Sequence, residues 1–406
     1  VVSLHLAVIE LAWSAISLSL HHLLSFYRER KAAQVAAHKK FLVSRFAELC
    51  LVVALALVYQ ASGTLQLQQL NAYLAGLDTL PVSLHIAALL FALTAILKTA
   101  QLPLHGWLIQ VMEAPTPVSA LLHAGVVNMG GFFLIRLAEL ISLAPAAQLA
   151  LVVMGSLTAV LAGLVMLTRI SIKVNLAWST CAQMGFMLME IGLGMYELAL
   201  LHLVAHSLYK AHAFLNAGEA VQIARNNDFM KPVPSAYSPL LHLGALGLSG
   251  ALVIGSTWLW QLFAPGLTVP SVALIIVAMG LASLLWLDQW TAAGLLRGIA
   301  QVVVLTQLYM IWHLLFTSLG PDPVPASSPL ALLVMLCFGL LYGAQVWLRC
   351  YPKGRFARAL YPWAYCGFYL DETFTRLTFK LWPVKLSPAQ TQTIANRNPV
   401  LQGELL

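Results

Sequence analysis

Residues 81–125 read PVSLHIAALLFALTAILKTAQLPLHGWLIQVMEAPTPVSALLHAG, and this stretch decides the fold class. From Pro81 to Leu97 the run is apolar and long enough to enter a bilayer core. It then places a lysine, Lys98, before a break at Gln101-Leu102-Pro103. A lysine at mid-helix costs about 2.5–3.5 kcal/mol on insertion scales, so it needs a reason. Backbone breaks at membrane depth are tolerated only where protein or water satisfies the freed groups, and transport proteins often place their sites there. Fourteen residues separate Lys98 from the next charge, Glu113, which favours a buried proton carrier over a side chain snorkelling to the interface.

The rest of the chain is consistent with this membrane reading. Of 406 residues, 60% are apolar and 9% charged, against roughly 25% charged in soluble domains. Such a chain could not cover a water-facing surface, which excludes soluble enzymes, nucleic-acid binders and disordered scaffolds. The net charge of +7 then marks cytoplasmic loops and anionic headgroups. Cys50, Cys181, Cys337, Cys350 and Cys366 lie far apart with no C-x-x-C pair, against an iron–sulfur cluster or zinc ribbon. The sequence has no Gly-rich dinucleotide fingerprint and no phosphate loop. It opens at Val1 inside an apolar run, with no signal-peptide pattern.

Apolar runs of about 20 residues give eleven expected spans, near 1–27, 41–60, 81–112, 117–138, 146–168, 174–192, 198–224, 238–263, 270–287, 298–318 and 329–348. Orientation follows from basic residues in alternate connections. One set holds Arg28, Arg30, Lys31, Lys39, Lys40, Arg169, Lys173, Arg225, Lys231, Arg297, Arg349, Lys353, Arg355 and Arg358. The other, near 61–80, 139–145, 193–197, 264–269 and 319–328, holds no Lys or Arg. The first set is assigned to the cytoplasm. The expected fold is all-α and polytopic, with residues 1–348 forming the transmembrane domain and 349–406 a cytoplasmic helix and tail. In that last segment Leu370, Phe374, Leu377 and Leu381 form one apolar stripe, with Asp371, Glu372, Arg376 and Lys380 off it. This predicts an amphipathic helix ending at Pro383, lying on the membrane surface or docking a partner subunit. Residues 387–400 read as an irregular tail.

Other ionisable residues in apolar surroundings are candidates for the same chemistry. His202, His206 and Lys210 recur every four residues, one stripe about 12 Å long on a helix. The stripe suits a proton relay, because histidine titrates near neutrality; core histidines bonded to carbonyls are the bland alternative. Zinc is disfavoured, since Leu203 stands where the metalloprotease pattern needs a glutamate. His123 alone would be a satisfied core histidine, and Lys173 beside Arg169 an interfacial anchor. Glu48, three residues after Arg45, reads as an intrahelical pair, or as a carboxylate that tunes a nearby lysine. Glu10 lies inside the first run.

The stretch Lys98 to Gly125 resembles the proton-translocating antiporter-like family, the large membrane subunits of respiratory complex I and of multisubunit cation/proton antiporters. IKVNLAWSTCAQMGF, Ile172 to Phe186, and His202 to Phe214 are similar to the same family in the same order. The resemblance covers roughly Trp13 to Ala220. It implies inverted five-helix repeats, each with a broken helix, and a central axis of lysines, histidines and carboxylates. It also implies about four helices preceding Val1. Carried over, Lys98 matches the family's broken-helix lysine and His123 the histidine of the following helix. Lys173, His202, His206 and Lys210 match its central connecting residues, and Glu48 its helix acid near an arginine. Two positions depart. Ser14 stands where the family has the glutamate that pairs with the lysine, with Glu10 one turn earlier as a substitute. The helix Ser238 to Phe263, where the family has an exit lysine or glutamate, offers only His242.

These departures, with LLHAGVVNMGG (121–131) and GFYLDETFTRLTFKLWP (367–383), resemble the membrane-subunit family of the DAB inorganic-carbon accumulation complexes of bacteria. That resemblance implies a multi-pass inner-membrane subunit, itself no enzyme, conducting protons or another cation. Its implied partner is a soluble, zinc-dependent, carbonic-anhydrase-like subunit that converts CO2 to bicarbonate, with the zinc on that partner and no cofactor in this chain. The alternatives are a proton-pumping membrane-arm subunit of a respiratory NADH-quinone oxidoreductase or multisubunit antiporter, and a structural anchor with a vestigial path.

Overall fold

A computed structural model describes residues 3–27, 29–110, 114–218, 238–265, 267, 269–287, 291–317 and 327–383. Among them every regular element is a helix. The first long helices are α1 (Leu6–Leu24), α2 (Lys31–Ser62), a short α3 (Leu67–Ala75) and α4 (Val82–Lys98). A five-residue α5 (Gly106–Gln110) follows, then α6 (Thr116–Ala124), α7 (Met129–Arg136), α8 (Ala138–Ser142), α9 (Pro145–Met166), α10 (Ile172–Gly192) and α11 (Tyr196–Leu215). The second part holds α12 (Pro239–Phe263), α13 (Ser271–Ala282), α14 (Ala292–Thr317), α15 (Ser328–Cys350), α16 (Arg355–Tyr365) and α17 (Leu370–Leu381).

Helix boundaries follow local chemistry. Gly63 ends α2 in the left-handed region, φ 69°, where its N–H donates to the Tyr59 carbonyl at 2.8 Å. Pro145 and Pro239 open α9 and α12 at positions that need no N–H donor. A helix or helix pair occupies each of the eleven stretches expected to span, and seven are long and apolar enough to cross by themselves. Their outward faces remain apolar: on α12 Leu240, Ile254, Trp258 and Phe263 are all exposed, as lipid-facing residues must be. The part of the seventh stretch beyond 218, Glu113 and the tail 387–400 lie outside the described residues.

The predicted break is present. α4 stops at Lys98, Ala100 takes φ 55°, and helix resumes only at Gly106. Two neighbouring helices satisfy the freed backbone: Thr158 Oγ1 of α9 accepts from Leu102 N at 3.3 Å, and Cys181 Sγ of α10 donates to the Ala100 carbonyl at 3.1 Å. A second interruption, which the sequence reading takes as continuous helix, lies between α6 and α7. There a 3-10 turn, Val126–Asn128, follows Gly125, and Asn128 Nδ2 donates to Ala124 O and to Ser207 Oγ of α11.

The tightest helix contact joins α9 and α10. A Cβ on Gly155 would meet the Gly185 carbonyl at 2.5 Å, and one on Gly185 the Gly155 carbonyl at 2.6 Å. Small residues permit this backbone approach, and in a bilayer such packing holds helices together. Gly185→Leu is therefore expected to lower the melting temperature of the detergent-solubilised protein sharply, while Gly163→Leu, which meets only a leucine side chain beyond 3.4 Å, leaves it near the parent value.

Two sequence expectations are corrected here. Lys39 and Lys40, read as cytoplasmic loop charges, are buried within α2. The helix is 32 residues long, about 48 Å at 1.5 Å per residue, so it runs on past the apolar stretch while still packed against protein. The segment after the last span also contains a helix the reading does not anticipate, α16, despite Pro362 inside it.

A buried polar column as the candidate functional site

The first cluster of the column lies where α1, α2 and the end of α4 meet. Glu48 accepts from Lys98 Nζ at 3.1 Å and from Arg45 Nη2 at 2.8 Å. Lys98 and Glu48 are buried, whereas the arginine reaches the surface. The Lys98 ammonium lies 4.5 Å from the Trp13 ring centre, a cation–π distance. Lys40 Nζ donates to Ser17 O at 2.6 Å and to Ser17 Oγ at 2.7 Å. Ser17, Lys40, Ser44, Lys98, Trp13 and Trp107 line a small cavity of about 20 Å³, room for one water.

This arrangement revises the roles of the first helix's residues. Glu10 is buried and accepts from Ser14 Oγ at 3.0 and 3.1 Å, so the serine at the departed position bonds the acid one turn earlier. The direct partner of Lys98 is nevertheless Glu48, with Glu10 acting on it only through space. Glu48 is therefore more than an intrahelical partner of Arg45.

The second cluster follows α11. Lys210 Nζ donates to the Leu176 carbonyl at 2.9 Å and to Ser179 Oγ, both on α10. His206 is buried, and among the described residues neither ring nitrogen bonds a protein atom. The His202 ring lies 6.0 Å from it, and His202 Nδ1 meets Glu190 Oε2 at 2.9 Å. His123 is fully buried and stacks on Phe214 at 4.4 Å, and among the described residues neither of its nitrogens bonds a protein atom. Buried polar atoms normally find partners, and the exceptions mark functional or water-filled positions. A cleft of about 410 Å³ is lined by Ser179, Gln183, His202, His206 and Lys210. Gln183 and His202 also line a neighbouring cleft of about 370 Å³, with Glu190 and Tyr309. Lys173 Nζ donates to Thr116 Oγ1 at 2.8 Å, tying the first turn of α10 to the start of α6. A further cavity of about 790 Å³ lies elsewhere, among Leu164, Trp286, Arg349 and Arg358, and none of the column residues lines it.

Lys40, Glu190, Glu197 and His313 escape the sequence reading. Lys40, Ser44 and Glu48 repeat every four residues, the spacing that flags His202, His206 and Lys210, and this would have placed Lys40 with Glu48. Glu190 and Glu197 sit at span ends, where single acids read as interfacial.

The amphipathic helix α17 is present, but its apolar stripe is divided. Phe374 is buried against the chain's own core, whereas Leu377 and Leu381 are exposed. Asp371 Oδ2 accepts from the buried Lys39 at 2.6 Å. The same carboxylate lies over Gly106, where a Cβ would clash at 1.9 Å, so α17 rests on the start of the second half of the broken helix. Trp382 stacks on His38 at 4.0 Å and closes the contact with α2. Phe374 therefore fastens α17 to this chain, and Leu370, half-buried against the cluster of Leu102, Ala162, Val165, Trp178 and Cys181, does the same. Only Leu377 and Leu381 of the stripe stay free for another surface.

Membrane-crossing helices, a protein-satisfied break beside a buried Lys–Glu pair, and an imidazole–lysine stripe define a polytopic subunit of the ion-translocating antiporter type. A family model described as "NADH:quinone oxidoreductase/Mrp antiporter, TM" matches residues 3–251. The chain belongs to that family. It is 42% identical over 399 residues to the "Probable inorganic carbon transporter subunit DabB" of Hydrogenovibrio crunogenus, covering 95% of this chain and 74% of the relative. It is 39% identical over 407 residues to the "Probable inorganic carbon transporter subunit DabB2" of Halothiobacillus neapolitanus, covering 97% and 73%. Among solved structures, the Mrp complex from Dietzia sp. DQ12-45-1b shares the fold, with a TM-score of 0.55 and 22% identity over 99% of this chain and 46% of that one.

Proposed function

We propose that this chain is the proton-conducting membrane subunit of an inorganic-carbon uptake complex of the bacterial inner membrane. Proton flow through the column drives a soluble, zinc-dependent, carbonic-anhydrase-like partner on the cytoplasmic side to convert CO2 to bicarbonate in one direction. The observation that carries conduction is the buried Lys98–Glu48 pair. An anchor could hold apolar residues there, since a buried ion pair is often no more stabilising than well-packed hydrophobic side chains. Protons suit the column better than sodium, because lysine and histidine accept protons but repel a metal cation once charged. The similarity to carbon-transporter subunits over nearly the whole chain supports the substrate. One unit charge crossing 100 mV releases about 2.3 kcal/mol, roughly a fifty-fold bias on the hydration equilibrium.

The test is the power source. Uptake of labelled inorganic carbon by cells carrying the complex is expected to collapse with a protonophore and to survive loss of ATP synthesis. Uptake that persists under the protonophore, with sodium gradients also clamped, removes the proposal. The second reading, a subunit driven by a redox arm, is favoured by the family description, which includes NADH:quinone oxidoreductase, and by 36% identity over 248 residues to a NADH-ubiquinone oxidoreductase chain 5; it predicts proton translocation that needs a quinone and ignores CO2.

Partner docking falls to the free part of α17. Leu377→Asp with Leu381→Asp is expected to release the soluble partner in detergent while α17 stays fastened through Asp371 and Phe374. Co-purification of an intact complex carrying both aspartates would move the docking surface elsewhere.

A further inference from the structure

Helix α12, Pro239–Phe263, has no acid or base in its extracytoplasmic half; its one histidine, His242, lies in the first turn at the cytoplasmic end. This helix therefore offers no ionisable side chain toward the outside. Connections 193–197 and 319–328, both free of Lys and Arg, mark the extracytoplasmic side. Four ionisable side chains converge at that end. Glu190 closes α10 and Glu197 opens α11, and both are buried. His313, near the end of α14, is buried with Nδ1 4.0 Å from Glu197 Oε2. Tyr309, one turn earlier, stacks parallel to His313 with ring centres 6.2 Å apart. Its hydroxyl is buried and bonds no protein atom among the described residues.

From these positions we infer an extracytoplasmic proton-uptake site formed by Glu197, His313, Tyr309 and Glu190, feeding His202. The inference rests on the conduction reading above and supplies its outer mouth. Two buried carboxylates this near lipid carry an insertion cost that packing alone does not require. Glu190 is bonded directly to the first histidine of the stripe, and it shares a cleft with Tyr309, Gln183 and His202. Along α11, Glu197 and Lys210 are thirteen residues apart, about 20 Å, so the site and the stripe together cross most of the apolar thickness. In the inward direction a proton from outside water protonates the Glu197–His313 pair and passes to Glu190. It then moves to His202 and on to His206 and Lys210. Lys210 releases the proton on the cytoplasmic side through the cleft it lines with Asn175 and Tyr209, and each donor is restored by the next proton, so no group changes its net charge over a cycle.

The test uses the complete complex reconstituted in liposomes, with a potassium diffusion potential and an internal pH dye. Lys98→Ala serves as the zero-flux reference. Glu190→Gln and Glu197→Gln are each expected to fall to that reference, while Glu190→Asp, which keeps the carboxylate, retains measurable flux. That rescue separates a proton carrier from a side chain that only orients His202, and Glu197→Gln tests the second carboxylate, beside His313, on its own. If Glu190→Gln and Glu197→Gln conduct like the parent while Lys98→Ala does not, protons enter elsewhere, and the conduction reading stands without this site. If the parent complex itself conducts no protons, both are overturned.

Discussion

Lys98→Ala is expected to abolish inorganic-carbon uptake while leaving the protein at parental abundance in the membrane. Removing an ammonium from an apolar helix relieves about 2.5–3.5 kcal/mol of insertion cost. The carboxylate it leaves behind is not stranded, because Arg45 Nη2 still donates to Glu48 at 2.8 Å. Folding is thus protected on both counts, and lost uptake reports on the proton carrier. Growth in air of cells dependent on this uptake, scored beside a membrane immunoblot, gives the answer. Full growth with well-inserted Lys98→Ala would remove Lys98 from the path.

The opposite half of the pair behaves differently. Glu48→Gln strips the counter-charge from Lys98 and leaves the ammonium near Lys40 and Arg45, which act on it and on each other through space. Stranding a buried charge costs about 3–5 kcal/mol, so this variant is expected to lose both uptake and thermal stability. The double variant Glu48→Met, Lys98→Met carries no stranded charge and is expected to recover most of the melting temperature but none of the uptake. Melting curves of the solubilised protein, read beside uptake, separate the roles. A double variant that regains uptake would make the pair a structural feature and nothing more.

Much of this is legible in the sequence. The break after Lys98 follows from Pro103 and from what a bilayer permits, and it occurs there with Thr158 and Cys181 meeting the freed backbone. The stripe His202, His206 and Lys210 needs only helical periodicity. What sequence could not supply is depth. Lys39 and Lys40 look like loop charges because hydropathy ends before them, yet α2 continues as buried helix and uses them as contacts. Glu190 and Glu197 look interfacial because each stands at a span end, and only the approach of α14, more than a hundred residues later, turns them inward. The stripe on α17 was visible, but its division was not: Asp371, off the stripe, decides which side faces the protein because Lys39 and Gly106 receive it.

The claim that proton flow through this chain powers carbon uptake is tested most directly in right-side-out membrane vesicles bearing the complete complex. Labelled inorganic carbon is supplied, and an inward proton gradient is imposed in the absence of ATP. Accumulation is predicted to rise with the gradient, to vanish with a protonophore, and to be absent at every gradient in Lys98→Ala vesicles. Accumulation that proceeds equally with the gradient collapsed, or equally well in Lys98→Ala, would contradict it.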